Sequence, residues 1–218
     1  MKKLAIFDLD GTLLNTLSDL AAATNYALEQ LNYPTHDTDA YRYFVGNGIN
    51  KLFERALPEK ERNQENILRV RALFIPYYDI HNADLSVPYP HIVSVLDTLQ
   101  RQGIKLAVAS NKYDQATKKL IKQYFPTITF IAVFGQREAV PTKPNPAVIH
   151  EIIQLSGVKK EEVVYIGDSG VDMQTGINAD VCTVGVSWGF RPRTELEALH
   201  PSFIADNSQE LLQYLISE

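Results

Sequence analysis

Two aspartates, Asp8 and Asp10, follow directly on an apolar run in the stretch LAIFDLDGTLLNT, residues 4 to 16. In an extended strand, positions i and i+2 point to the same side, so both carboxylates could be presented at one spot. Two like charges that close raise each other's proton affinity unless a cation lies between them. Taken alone, the pair reads equally well as a solvated acidic turn. Three further groups fall just after apolar runs: Ser110 and Asn111 after LAVA, Lys143 in PTKPNP, and Asp168 and Asp172 in GDSGVD. Asp168 by itself is an ordinary turn or helix-capping residue. Four acids, a lysine and a hydroxyl delivered in this order to one rim are a conjunction hard to obtain by chance.

The residue types define the chemistry. Clustered carboxylates suit Mg²⁺, a hard cation that keeps several waters and shares its octahedron with protein oxygens and a substrate phosphate. Lys143 supplies a compact positive charge for phosphate oxygens, and Ser110 a donor. With the acids neutralised, one carboxylate can attack phosphorus and form an aspartyl-phosphate. Another can protonate the leaving oxygen and then activate water. Gly11 allows the tight turn that brings the two together.

These groups need a scaffold that gathers strand ends. Short runs rich in Val, Ile and Leu predict strands at Lys3–Phe7, Lys105–Ala109, Thr129–Val133, Val163–Ile166, Val181–Val186 and Ser202–Ile204. Amphipathic spacing predicts helices between them, at Tyr89–Gln102, Tyr113–Phe125, Pro146–Leu155, Asp172–Ala179 and Gln209–Ile216. The fold class expected is α/β, a doubly wound, Rossmann-like parallel sheet covered on both faces, with function at the carboxyl ends of its strands. From Asn15 to Val87 the pattern turns helical, with no convincing strand. The expected organisation is a catalytic core of residues 1–14 and 88–218 and an inserted helical cap domain of residues 15–87. Short hinge strands would lie at Leu14–Leu17 and Ser86–Pro90.

Composition narrows the function classes. At 218 residues, 45% hydrophobic, the chain can bury a core without disulfides, and Cys182 is its only cysteine. That fits a reducing compartment, and a cytoplasmic location is expected. No secretory leader is read at the N-terminus, and no run approaches the ~18 apolar residues of a membrane helix. The net charge of −5 argues against a nucleic-acid partner. A small phosphorylated metabolite is the expected partner, and the sequence leaves the oligomeric state open. The five histidines lack metal spacing. FIPYYDI, residues 74 to 80, reads as helix core, and Trp188, Phe190 and Arg191 as a loop packed beside the site.

Together, DLDGT, Ser110 after an apolar strand, Lys143 in a loop and GDSGVD resemble the four ordered motifs of the haloacid-dehalogenase-like superfamily. The resemblance implies Asp8 as nucleophile and Asp10 as acid/base. It implies Mg²⁺ held by Asp8, Asp168 and the backbone carbonyl of Asp10. Thr12, Ser110, Asn111 and Lys143 would address the phosphate, and Asp172 would orient the lysine or a metal-bound water. Asp10 points to the phosphate-transferring branch, because the dehalogenases lack this second acid. More finely, FVGNGINKLFERAL and VGVSWGFRP resemble phosphoglycolate phosphatases, with Gly46 and Gly48 shaping a cap loop over a small substrate. Gly176, where relatives often carry alanine, is a departure that concerns helix packing. The alternatives on the same core are a phosphosugar mutase and an inorganic pyrophosphatase. A signalling receiver domain shares the acids and lysine, but length, the insertion and Asp10 disfavour it.

Overall fold

The structure, a computed structural model, describes residues 2–217. The chain begins with β1 (Leu4–Phe7) and β2 (Leu14–Asn15), then enters four helices: α1 (Leu17–Gln30), α2 (Tyr41–Phe44), α3 (Ile49–Ala56) and α4 (Gln64–His81). It returns through β3 (Val87–Pro88), α5 (Ile92–Arg101), β4 (Lys105–Tyr113), α6 (Asp114–Tyr124), β5 (Phe130–Gln136) and α7 (Ala147–Ser156). It closes with β6 (Val163–Gly167), α8 (Gly170–Ala179), β7 (Cys182–Val186), α9 (Arg193–Glu197), β8 (Phe203–Ala205) and α10 (Ser208–Ile216).

Six strands form one parallel sheet in the order β5-β4-β1-β6-β7-β8. The near-continuous apolar strands follow from burial on both faces. Ala5, Phe7, Val108 and Ile166 pack against Leu96 of α5 and Leu211 of α10 on one side. Leu4, Ile6, Ala107 and Tyr165 pack against Ile149 and Ile152 of α7 on the other. Later strands add to β1 on both sides, β4 on one and β6 on the other, so the carboxyl end of β1 lies at the switch in strand order where α/β sheets place their ligands.

The strand and helix positions read from the sequence recur, with two corrections that matter for the site. Strand β4 continues through Ser110 and Asn111 to Tyr113, with an irregular register against β5 after Ala109, where the sequence reading ended it at Ala109. The helix after β6 begins at Gly170 and is capped by Ser169, whose side chain accepts from Asp172 N while Asp172 reaches back to Ser169, a reciprocal capping box. Asp168 is therefore not the cap and is left free for other work. At Gly176 a Cβ would lie 1.8 Å from Thr183 Cγ2, so glycine lets α8 settle onto β7.

The helices from Leu17 to His81 form a lobe with its own apolar cluster, centred on Tyr41, Phe53, Phe74 and Tyr78. Phe74 and Tyr78 are fully buried, as the core reading of residues 74 to 80 requires, although Ile80 projects to solvent. The chain enters and leaves this lobe through the antiparallel pair of β2 and β3. The crossing is tied by Asp19, a buried carboxylate that the sequence reading passed over as part of an amphipathic helix. Its Oδ2 accepts from Ser86 N (2.8 Å) and Ser86 Oγ (2.6 Å), and Oδ1 from Leu85 N (3.0 Å). Charge-assisted hydrogen bonds to a buried acid cannot be replaced by water, so Asp19→Ala should lower unfolding stability by about 2–4 kcal/mol. Urea denaturation measures this, and a variant as stable as the parent would show that the tie contributes nothing.

Candidate active site

The site is built on Lys143. Its ammonium group is buried and lies 2.7 Å from Asp172 Oδ1, 2.8 Å from the Tyr165 hydroxyl and 2.9 Å from Asp8 Oδ1. Its loop is fixed by Asn111, whose amide accepts from Lys143 N (2.9 Å) and donates to Lys143 O (3.1 Å). Asp172 is saturated by Lys143, Tyr165 OH (2.8 Å) and Ser169 Oγ (2.6 Å), which makes it the group that orients the lysine. Asp8 differs. Its Oδ1 is buried without an aligned hydrogen-bond donor, since Lys143 is in charge contact with it but off the bonding direction.

Asp168 is gripped from the opposite side. Phe190 N donates to its Oδ2 at 2.7 Å, and Thr12 Oγ1 approaches Oδ1 at 3.4 Å. Gly11, with φ +89°, and Gly189 both press against this carboxylate. A Cβ on either would come within 2.2 Å of an Asp168 side-chain atom. The loop of Trp188, Gly189 and Phe190 thus lies beside the site as expected, and Trp188 Nε1 donates to Thr12 O (3.2 Å).

Carboxylate oxygens of Asp8, Asp168 and Asp172 lie within 4.8 Å of one another, the only group of its kind among the described residues and one that could hold a metal ion. The cluster is not the one that the strand geometry suggested. Asp10 does not share one spot with Asp8. Its carboxylate turns to Lys112 (3.1 and 3.3 Å) and to Thr16 Oγ1 (2.6 Å), because a buried lysine two residues beyond Ser110 competes for it. Lys112 also donates to Tyr78 OH of α4 at 2.7 Å. Lys112, Thr16 and Tyr165 escaped the sequence reading. Lys112 shares the strand parity of Ser110, and Tyr165 is the one hydroxyl in the apolar run VVYIG, so both carried a signal.

Asp8, Asp10, Ser110, Asn111 and Asp168 border a cavity of about 50 Å³. The helical lobe closes its other side with Leu20, Val45, Ile49, Leu52 and Phe74, and with Gly46 and Gly48. Asn111 Nδ2 also donates to Gly46 O (2.9 Å), joining the core to this turn. Thr12 and Lys143 lie behind this wall: Thr12 faces Asp168, and Lys143 faces Asp8 and Asp172.

Burial dominates the electrostatics. It pushes the Asp8 carboxyl up to about 7; Lys143 offsets part of the rise and Asp172 adds to it. Burial, then Asp172 and Asp8, raise Asp168 well above the carboxylate range. Burial would lower Lys143, but Asp172 and Asp8 overcome it and keep the lysine charged. The sign of the pH dependence follows. Below 3.8 the Asp8 carboxyl is protonated in both folded and unfolded chains; between 3.8 and about 7 only the folded chain keeps the proton. Stability of the metal-free protein should therefore fall as pH rises through that window. Asp8→Asn should unfold at higher temperature than the parent at pH 8, with the gain shrinking towards pH 4. Thermal melts in excess chelator measure this, and a gain independent of pH would contradict it.

Comparison with known proteins agrees with this geometry. Residues 5–186 match the family model described as haloacid dehalogenase-like hydrolase. The chain is 32% identical to a phosphoglycolate phosphatase of Vibrio parahaemolyticus over 97% of its own length and 95% of the relative's. It is 33% identical to a phosphoglycolate phosphatase of Psychrobacter arcticus, over 99% and 96%. A crystal structure from Lactobacillus delbrueckii subsp. bulgaricus, assigned as a phosphoglycolate phosphatase, superposes with a TM-score of 0.92 at 32% identity, covering all of both chains. No helix among the described residues is long and apolar enough to cross a membrane. The chain belongs to the haloacid dehalogenase-like hydrolase family, among its phosphatases.

Proposed function

We propose that this phosphatase hydrolyses a small anionic phosphomonoester, phosphoglycolate being the first candidate, through a phosphorylated Asp8. The observation that carries the proposal is the state of Asp8: a buried carboxylate bordering the cavity, 2.9 Å from Lys143 Nζ, with an oxygen that no donor satisfies. A carboxylate held this way is oriented but not quenched. Its oxygen attacks phosphorus, and the bond from phosphorus to the ester oxygen breaks. Asp10, on the same cavity, gives its proton to the departing oxygen, then takes one from the water that attacks phosphorus and releases Asp8. Thr16 and Lys112 fix the orientation of Asp10 for both transfers. Ser110 offers its hydroxyl to the phosphoryl oxygens from the end of β4, and Lys143 its charge from behind Asp8.

The donor set fits a hard divalent cation, since the unsatisfied oxygen of Asp8 and the carboxylate of Asp168 stand together while Asp172 is occupied by the lysine. Asp8, Asp168 and the backbone carbonyl of Asp10 would hold Mg²⁺, which when bound supplies positive charge against the phosphoryl oxygens. The helices of residues 15–87 act in this reading as the cap, closing over the leaving group. Their contribution to the cavity is apolar apart from the Gly46–Gly48 turn, which supports a small substrate and offers little to grip a sugar as a mutase must. The single half-buried cysteine suits a reducing, cytoplasmic setting.

Three measurements test this. Asp8→Asn should lose at least about a thousand-fold in kcat with the fold retained, and substantial residual turnover would remove Asp8 from the role. Excess chelator should silence the parent and Mg²⁺ restore it; full activity in chelator would leave Lys143 as the working cation. With phosphoglycolate and glucose 1-phosphate in parallel, free phosphate should be the product and phosphoglycolate the better substrate. Efficient isomerisation of the sugar phosphate without phosphate release would promote the mutase.

A further inference from the structure

The cations at the cavity and behind its wall are unequally committed. Lys143 is flanked by two carboxylates, and Lys112 is paired with both oxygens of Asp10. Arg191, which follows the loop that grips Asp168, also borders the cavity and has no comparable partner. Its Nη2 donates to two backbone carbonyls of the lobe, Val45 O (3.1 Å) and Tyr43 O (3.4 Å). The nearest acid among the described residues is Glu195, at 3.9 Å from Nε, and that same oxygen already accepts from Gly170 N at 2.8 Å. The Arg191 side chain is only 11% exposed. Carbonyl hydrogen bonds orient a guanidinium without cancelling its charge, and arginine cannot shed its proton. A cation withdrawn from water and not neutralised is costly unless an anion joins it.

A second arginine deepens the excess. Arg55 donates to Tyr43 O (3.2 Å), Phe44 O (3.0 Å) and Asn47 Oδ1 (2.8 Å), and no carboxylate among the described residues lies within 4.0 Å of it. Partial burial, and then the charge of Arg191, hold Arg55 below the usual arginine range, so the two guanidinium groups act on one another. Between them runs the turn that carries Gly46 and Gly48. Gly46, at φ +115°, gives this turn a backbone conformation that L side chains rarely adopt, and it brings the turn beside Arg191 Nη2. Of the remaining wall, Leu20, Val45, Ile49, Leu52, Phe74 and Phe190 are apolar, while the Tyr113 hydroxyl is committed to Asp79 and the Ser169 hydroxyl to Asp172, so none of them offers an anion a free positive charge.

We infer that Arg191 is a specificity-determining residue that receives the second anionic group of the substrate, a carboxylate carried on the leaving alcohol. This rests on the proposed hydrolysis of a small anionic phosphomonoester and names the residue that selects it. The guanidinium fork matches a carboxylate in a way that an ammonium cannot, and its carbonyl tethers to the lobe hold it in place before the substrate arrives. An ester lacking the second charge gains nothing from it.

The test compares phosphoglycolate with ethyl phosphate, close in size but without the carboxylate, in the Mg²⁺-loaded parent, Arg191→Gln and Arg191→Lys. Arg191→Gln keeps a donor for the carbonyls, so a role confined to holding the loop would lower both substrates alike. The inference expects kcat/KM for phosphoglycolate to fall about 10- to 100-fold more than that for ethyl phosphate, mostly through KM, with Arg191→Lys intermediate. Equal losses on the two esters, or none on either, would overturn it. 3-Phosphoglycerate, run alongside, separates this inference from the reading it rests on. A parent that ignores phosphoglycolate but hydrolyses this longer carboxylated ester, with selective loss in Arg191→Gln, would sink the phosphoglycolate assignment and uphold the role of Arg191. A parent that prefers ethyl phosphate to both carboxylated esters would overturn the two together.

Discussion

The structure depends on the charge balance around one buried ammonium group. Lys143 faces two carboxylates, and Asp168 brings a third carboxylate to the same few ångströms. Three acids and one lysine leave an excess of negative charge in a place where burial penalises it. Asp172 shares its oxygens among Lys143, Tyr165 and Ser169, and Asp168 leans on Phe190 N, so the residual demand for positive charge falls on Asp8. That demand is the physical reason why a divalent ion belongs in the proposed chemistry. The surrounding fold serves it. Gly11 and Gly189 let the backbone close on Asp168, and Asn111 fixes the lysine loop by both of its backbone groups.

A second consequence concerns the two aspartates that sequence spacing sets side by side. They are given separate partners, Asp8 with Lys143 and Asp10 with Lys112 and Thr16. Distinct partners allow the two carboxylates to differ in proton affinity, as the proposed division into nucleophile and proton carrier requires. Lys112 also reaches Tyr78 on α4, and Tyr113 OH reaches Asp79 at 2.6 Å. Asp10 is therefore bonded through a single lysine to the helical lobe, so the lobe's position and the orientation of Asp10 are mechanically linked.

Much of this was legible in the sequence because parallel sheets advertise themselves. Strands buried on both faces read as apolar runs, and their carboxyl ends are where polar residues collect, so Asp8, Ser110 and Asp168 stand out by position, while Lys143 lies in the loop beyond β5 and stands out only in company with them. The extension of β4 is not legible in this way, because Ser110, Asn111 and Lys112 are polar and an apolar run ends at the first such residue. The same blindness hid Lys112: a lysine after a strand is ordinarily a solvated turn residue, and only the tertiary approach of Asp10 and Tyr78 makes it a buried one. Asp19 was concealed by an amphipathic helix in which an acid in the first turn is unremarkable. Its partners at Leu85 and Ser86 lie more than sixty positions along the chain. Local patterns record which face of an element is buried, not which distant group will meet it.

In the proposed reaction water does not attack the substrate directly, because Asp8 stands between them and takes the phosphoryl group first. The stereochemical course at phosphorus tests it most directly, using a phosphate ester made chiral with sulfur and oxygen isotopes. Two successive in-line displacements, through Asp8 and then water, predict net retention of configuration. Net inversion would mean a single displacement by water and would remove Asp8 as the nucleophile.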